Sequence, residues 1–403
     1  MAHSNLRADQ YARGRNANEV VSAPVPVTGA WQPSDPVAER KFVEVGQLAL
    51  ELGGQLPEVT VAYQTWGALN AQGDNAILIE HALTGDAHVH GEVAPGQKTR
   101  GWWHELVGAG KPFDTDQYFI VASNVLGGCQ GTTGPSSVAP DGRAWGGRFP
   151  RITVADQVEV ERRLATLLGV TKWRSVIGGS MGGMRALEWL VRHPEKVSSA
   201  LLIATSAYST ADQIATQSTQ ITAITADPNW RGGNYHDAAP GCGPHIGMGV
   251  ARRIAHATYR SNVEFNVRFG REHQLGEDPY ADGRFAIESY LDHHADKLAH
   301  RFDAGTYVAL TDAMTTFDVG RGRGGFRAAL GAITQPVVVA GIDTDRLYPL
   351  ELQRELVEAI PTAQELHVVE SNYGHDAFLI EIDAIAPLIT KTLSSATGAL
   401  TPR

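Results

Sequence analysis

The stretch Val176-Ile177-Gly178-Gly179-Ser180-Met181-Gly182-Gly183-Met184-Arg185-Ala186 decides how this chain is read. A short apolar run ends in glycines, a serine follows, and an amphipathic pattern begins. Residues 173–177 read as a strand, because Val176 and Ile177 are β-branched and glycine ends the run. Met184, Leu187 and Val191 recur at i, i+3 and i+7, one face of a helix. Between them, Gly178-Gly179-Ser180-Met181-Gly182 fits G-x-S-x-G, the sharp strand-to-helix turn that lifts a serine hydroxyl above a sheet. Five-residue matches of this kind arise by chance in a chain with 43 glycines, so the legible strand and helix on either side carry the weight. The backbone of such a serine is strained, and the residues two before and two after it approach closely. A Cβ at Gly178 or Gly182 would therefore collide. The Met181 amide then points from a helix N-terminus toward a carbonyl under attack, where negative charge develops.

Working outward, the neighbouring segments supply a sheet. Residues 41–51 and 58–63 alternate apolar and polar side chains around Gly53-Gly54, which predicts an antiparallel pair. Residues 75–80, 118–122, 200–204 and 335–341 are largely apolar runs of the kind buried parallel strands show, and 365–370 reads as a further strand. Helical spacing is predicted over 153–168, 350–360 and 376–393. The loop 81–88 follows a strand directly, where open α/β sheets place ligands. The glycine-rich loop 123–135 is either backbone packed at the site or a plain surface turn. From 206 to 325 the strand signal vanishes and helical spacing takes over, so a helical insertion serving as a lid is expected there. The expected organisation is an N-terminal arm over 1–35, a catalytic domain from 36–205 and 326–403, and the lid over 206–325.

Bulk properties narrow the function classes. At 403 residues, 43% hydrophobic and 19% charged, the chain reads as a soluble globular protein able to bury a large core. Thirty-four basic against 44 acidic residues give a net charge of −10, which argues against nucleic acid or an anionic membrane as partner. A polyanionic small molecule needs only one local basic patch. Two cysteines, Cys129 and Cys242, provide no disulfide framework and point to a reducing cytoplasm. No run approaches 18 apolar residues, and the first 36 residues lack the apolar core of a signal peptide. No metal site and no permanently bound cofactor are expected.

Alternating strands and helices, a serine elbow after a middle strand and a late helical insertion together read as an α/β-hydrolase fold: a mostly parallel central sheet flanked by helices. That fold demands an acid after a later strand and a histidine after the last one. Asp343 and Asp345 both follow the strand 335–341, and His375 follows 365–370. The histidine would take the Ser180 proton as general base, and the aspartate would hold its tautomer and stabilise the imidazolium.

Several stretches together closely resemble the homoserine O-acetyltransferase family: His81-Ala82-Leu83-Thr84-Gly85-Asp86-Ala87-His88, Ser123-Asn124-Val125-Leu126-Gly127-Gly128 running to Gly134-Pro135, the elbow, Asp345-Arg346-Leu347-Tyr348-Pro349, and Gly374-His375-Asp376. The resemblance covers roughly residues 36 to 394. It implies a cytoplasmic enzyme of methionine biosynthesis that moves an acetyl group from acetyl-CoA to the hydroxyl of L-homoserine, working as a homodimer joined through lid helices. It assigns Ser180 as nucleophile, Asp345 as acid, His375 as base, and the backbone amides of Leu83 and Met181 as oxyanion donors. Arg252 corresponds to the arginine that holds the substrate, here expected on the carboxylate, and Asp376 is expected on the ammonium. Arg253 could replace Arg252, and Asp376 could simply cap the last helix. Arg185 adds a positive charge directly behind the elbow for which the sequence offers no functional account. Triad and elbow leave open a succinyl donor, a serine acceptor or a plain esterase. A non-catalytic binding protein on the same fold is disfavoured by all three triad positions being filled in order.

Overall fold

The computed structural model describes residues 24–396. Eight strands form one sheet: β1 (Lys41–Glu44), β2 (Thr60–Trp66), β3 (Ala76–Glu80), β4 (Phe119–Ser123), β5 (Trp173–Gly179), β6 (Ala200–Ile203), β7 (Val337–Ile342) and β8 (Leu366–Val369). Their spatial order is β1-β2-β4-β3-β5-β6-β7-β8. β1 pairs antiparallel with β2, and β2 with β4, while every other pairing is parallel. The central strands are buried on both faces, which is why they read as unbroken apolar runs. Two clusters of apolar side chains cover the two faces. One contains Leu78, Val176, Leu202 and Val339, and the other contains Ile77, Ile177, Leu201 and Val338, so the alternation along each strand sorts its residues between them.

The antiparallel opening has a different shape from the expected one. Residues 41–51 break into β1 and a two-residue strand, Leu48–Ala49, which pairs with Gln55–Leu56 around the Gly53-Gly54 turn. The partner of β1 is β2, in the register Lys41↔Tyr63. The closing helix also differs. A 3₁₀ turn, Gly374–Asp376, leads into the four residues Ala377–Ile380, and the chain bends at Glu381 (φ −84°, ψ 61°) before the helix Ile382–Ser395.

α1 (Val154–Leu168) begins where Thr153 closes a capping box. The Thr153 hydroxyl accepts from the Asp156 amide at 3.2 Å, and the Asp156 carboxylate accepts from the Thr153 amide at 2.9 Å. α2 (Met181–Arg192) follows the elbow. Between β6 and β7 lie α3 (Ala211–Thr225), α4 (His245–Tyr259), α5 (Asn262–Arg268), α6 (Ala286–Ala299), α7 (Ala304–Thr315) and α8 (Phe326–Gly331), and none of the eight strands. α9 (Leu350–Ala359) packs on β7. Of the N-terminal arm, residues 1–23 lie outside the described residues. The remainder is tied down by bonds from the Gly29 amide to the Phe302 carbonyl (3.0 Å) and from Trp31 to Cys129 (2.9 Å). No helix among the described residues is long and apolar enough to cross a membrane.

The β5–α2 junction leaves no space for side chains at its glycines. A Cβ on Gly178 would lie 2.3 Å from the Gly182 carbonyl carbon, and one on Gly182 would lie 2.2 Å from the carbonyl oxygen of Glu80 at the end of β3. α2 therefore rests on the neighbouring strand with no room for a side chain. Gly182→Ala is expected to destabilise the protein by at least about 1–3 kcal/mol, the range for overpacking a closed site. Chemical denaturation measures it, and an unchanged midpoint would mean that the junction is looser than described.

Candidate active site

Ser180 sits at φ 58°, ψ −125°, a conformation that costs a non-glycine residue about 1–3 kcal/mol. Hydrogen bonds on both sides of the residue hold it there. Its amide donates to the Ile203 carbonyl (2.9 Å), and its carbonyl accepts from the Gly183 amide (2.9 Å), the Met184 amide (3.2 Å) and the Thr205 hydroxyl (2.9 Å). The side chain is thereby aimed off the end of β5 into a cavity of about 300 Å³, which His375, Leu83, Arg252 and Asp376 also line.

Of the two aspartates after β7, Asp345 meets the histidine. Its Oδ2 lies 2.7 Å from His375 Nδ1, while its Oδ1 accepts from the amides of Leu347 (2.8 Å) and Tyr348 (2.9 Å). Asp343 instead accepts the Ser371 amide at 3.0 Å and so fastens the histidine loop from below. The His375 ring is held between Tyr348, stacked at 5.2 Å, and the edge of Phe378 at 5.5 Å. Ser180, Asp345 and His375 are all buried. Burial alone would lower the His375 pKa, but the charge and hydrogen bond of Asp345, with Asp376 adding to them, hold it above the ordinary value.

The loop after β3 brings Leu83 to the cavity wall. Neither the Leu83 nor the Met181 amide donates to a protein acceptor among the described residues, and Met181 opens α2. His81 organises this loop. Its Nε2 accepts the Val125 amide at 3.0 Å, so Nδ1 carries the proton and donates to the Ala82 carbonyl at 2.8 Å. Burial and the Arg185 charge push this imidazole down to about 3. The glycine-rich loop 123–135 is packed backbone, as its glycines suggest, and not a surface turn, although it does not line the cavity. It is largely buried, and through Val125 it supports the His81 loop from behind.

Arg252 and Arg253 part company on α4. Arg253 pairs with Asp292 at 2.8 Å, whereas Arg252 is buried at the cavity, with Nε and Nη1 lacking any hydrogen-bond partner among the described residues. A guanidinium left this way is costly unless a ligand completes it. Asp376 makes no capping bond to the helix that follows; its carboxylate faces Arg260 at 3.0 Å. Burial raises its pKa, against the pull of Arg260, His375 and Arg252. Arg260 was missed from sequence, although Arg252, His256 and Arg260 share one helix face at i, i+4 and i+8. Arg301, also missed, donates to the Thr84 carbonyl at 2.8 Å. Five cations, Arg100, Arg252, Arg260, Lys297 and Arg301, line the cavity against two carboxylates, Asp86 and Asp376. Burial first, and then Arg252, lower the pKa of His256 and bring that of His294 to about 4, so neither histidine adds charge near neutral pH. Among the described residues no group of three or more His, Cys, Asp or Glu side chains could hold a metal ion.

A sheet of this order with a serine at its strained elbow defines a class, and residues 75–381 match the family model for the alpha/beta hydrolase fold. Among relatives, the chain is 57% identical to the homoserine O-acetyltransferase of Thermobifida fusca, over 92% of this chain and 98% of that one. Solved structures that superpose on it include a homoserine O-acetyltransferase from Bacillus anthracis (TM-score 0.81, 24% identity, 89% of this chain and 98% of that one). Esterase E22 is similar too (TM-score 0.80, 26% identity, 88% and 99%). Within the alpha/beta hydrolase fold, the chain belongs to the homoserine O-acetyltransferase family.

The geometry around His375 sets a sign for its titration. With Asp345 in place, its imidazole should titrate above the ordinary value of about 6.5. In Asp345→Asn, burial loses its main opponent and the midpoint should fall. An NMR titration of the His375 ring reads this, and a midpoint that did not move would show that Asp345 exerts no such hold.

Proposed function

We propose that this protein transfers an acetyl group from acetyl-CoA to the side-chain hydroxyl of L-homoserine, as a cytoplasmic enzyme of methionine biosynthesis, by way of an acetylated Ser180. The observation that carries this beyond a generic acyl-ester chemistry is Arg252, a buried guanidinium over the Tyr259 ring whose Nε and Nη1 have no hydrogen-bond partner among the described residues, in the same cavity as Ser180 and His375. An esterase acting on simple acetyl esters has no use for such a cation, whereas the carboxylate of an amino-acid acceptor completes it. Asp376 would take the ammonium, exchanging part of its contact with Arg260 for the substrate. The surplus of cations along the cavity suits the phosphates of coenzyme A, a co-substrate that leaves after each turnover. No permanently bound cofactor is invoked.

In the first half-reaction, Ser180 Oγ attacks the thioester carbonyl carbon while His375 Nε2 takes the hydroxyl proton. The amides of Leu83 and Met181 stabilise the oxyanion. The C–S bond then breaks, and the departing thiolate receives the proton from His375. In the second half, the homoserine hydroxyl loses its proton to His375 and attacks acetyl-Ser180. The acetyl ester of homoserine leaves, and the proton returns to Ser180 Oγ. Water would intercept the acetyl-serine in an open cleft. We read residues 206–325 as a lid over a catalytic domain formed by 36–205 and 326–403, supported by the share of the cavity wall contributed by Arg252, His294 and Arg301.

Intact-mass measurement tests the chemistry. Acetyl-CoA should add one acetyl group, homoserine should remove it faster than water or serine does, and Ser180→Ala should abolish the adduct. Arg252→Met should still acquire the acetyl group but discharge it to homoserine at least about tenfold more slowly. A succinyl adduct in preference to acetyl, or discharge indifferent to homoserine, would overturn the assignment.

The insertion also exposes apolar side chains, including Ile246 and Val250 on α4 and Val263 and Val267 on α5. We infer a homodimer formed through these helices. Light scattering should return twice the chain mass, and Val267→Glu should shift it toward one; a monomeric parent protein would remove the inference.

A further inference from the structure

The buried charge behind the elbow has a structural partner set. Arg185 on α2 has no exposed surface, and three groups converge on its guanidinium. Nη1 lies 2.7 Å from Glu80 Oε2, at the end of β3, and donates to Glu161 Oε1 on α1, also at 2.7 Å. Nη2 donates to the carbonyl of His81 at 2.7 Å. Glu161 is fixed in turn by the Trp189 indole N–H at 2.9 Å. Burial, against the pull of Arg185 and with Glu161 beside it, holds the Glu80 carboxyl toward its neutral form. The cluster thus sets one guanidinium against two buried carboxyl groups.

What sets this cluster apart from an ordinary buried ion pair is the His81 carbonyl. Residues 81–83 are only two peptide planes, and the second of them carries the Leu83 amide. The first is gripped by Arg185 at the His81 carbonyl, and the Ala82 carbonyl is gripped by His81 Nδ1. At the far side of Leu83, Arg301 holds the Thr84 carbonyl. Arg185 sits five residues beyond Ser180 on the helix whose first amide is that of Met181. One rigid side chain therefore spans the two backbone segments that carry the two free amides at the site.

We propose that Arg185 is a positioning residue for acyl transfer: by holding the His81 carbonyl it sets the orientation of the Leu83 amide relative to that of Met181, so that both point at one developing oxyanion. This rests on the reading of Ser180 and the Leu83 amide given above. Lysine at this position supplies one point charge and cannot span Glu161 and the His81 carbonyl with a planar fork. Displacing one of two oxyanion donors without removing it should cost less than the roughly 10²–10³-fold loss that follows deletion of a donor.

The test compares Arg185→Lys and the double variant R185M/E161Q, which leaves no orphan carboxylate at 161, with Glu161→Gln alone. Three quantities are read: the rate of coenzyme A release on acetylation, the KM for acetyl-CoA, and the affinity for a trifluoromethyl ketone analogue of acetyl-CoA. The ketone forms a tetrahedral anion on the serine and so reports the oxyanion donors. Both Arg185 variants should acetylate about 10- to 100-fold more slowly at a nearly unchanged KM, and bind the ketone more weakly by a similar factor. Glu161→Gln should lower the Tm while acetylating within about threefold of the parent. Wild-type acetylation rates in the Arg185 variants, or losses that follow Tm equally in all three proteins without selective weakening of the ketone, would overturn the proposal. If Ser180→Ala still released coenzyme A and gained the acetyl mass, the nucleophile assignment would fail, separately from anything Arg185 does.

Discussion

The backbone of Ser180 is the constraint on which the remaining structure depends. A non-glycine residue at φ 58° persists only where its surroundings over-determine it, and here its amide and carbonyl are both engaged by neighbouring elements. The strand before it is buried on both faces, the helix after it stacks on the end of β3 without an intervening side chain, and Thr205 holds its carbonyl from β6's exit. Strain at one residue is affordable because so much packing converges on it. The result is a hydroxyl with a fixed direction, and the loops after β3, β7 and β8 are placed to meet it.

Electrostatics in the cavity follow from the same placement. The imidazole of His375 is buried, which by itself favours the neutral ring, yet a carboxylate at 2.7 Å pulls the other way. That carboxylate is in turn steadied by two backbone amides, so its position does not depend on the histidine. Nearby histidines in the insertion are driven neutral by burial and by Arg252. Among the groups of the insertion, positive charge at the cavity is therefore left to arginine and lysine.

Much of this was legible before any coordinates. The elbow, the strands on either side of it and the order of serine, aspartate and histidine follow from local patterns: β-branched runs, glycine at fixed offsets, and an acid and a histidine just past strand ends. Choosing Asp345 over Asp343 needed the family resemblance, because both lie in the same loop and only tertiary packing shows which one turns toward the histidine. Arg260 and Arg301 escaped because an arginine on a helix or in a connection reads as solvated until the cavity is seen. The glycines of loop 123–135 do mark packed backbone, but that the loop supports the His81 segment from behind rather than lining the cavity has no signature in sequence. The bend at Glu381 went unseen because helical periodicity continues across it.

The ground beneath the serine and the walls around it differ in how freely they can change. At Gly182 a single added carbon would run into the peptide of Glu80, so any side chain there forces the backbone to shift. Side chains such as Arg100 and Lys297 reach the cavity wall from other segments, and no backbone presses against them as Glu80 does against Gly182. A change in the cavity wall can therefore alter what the cavity accepts without disturbing the backbone that aims Ser180.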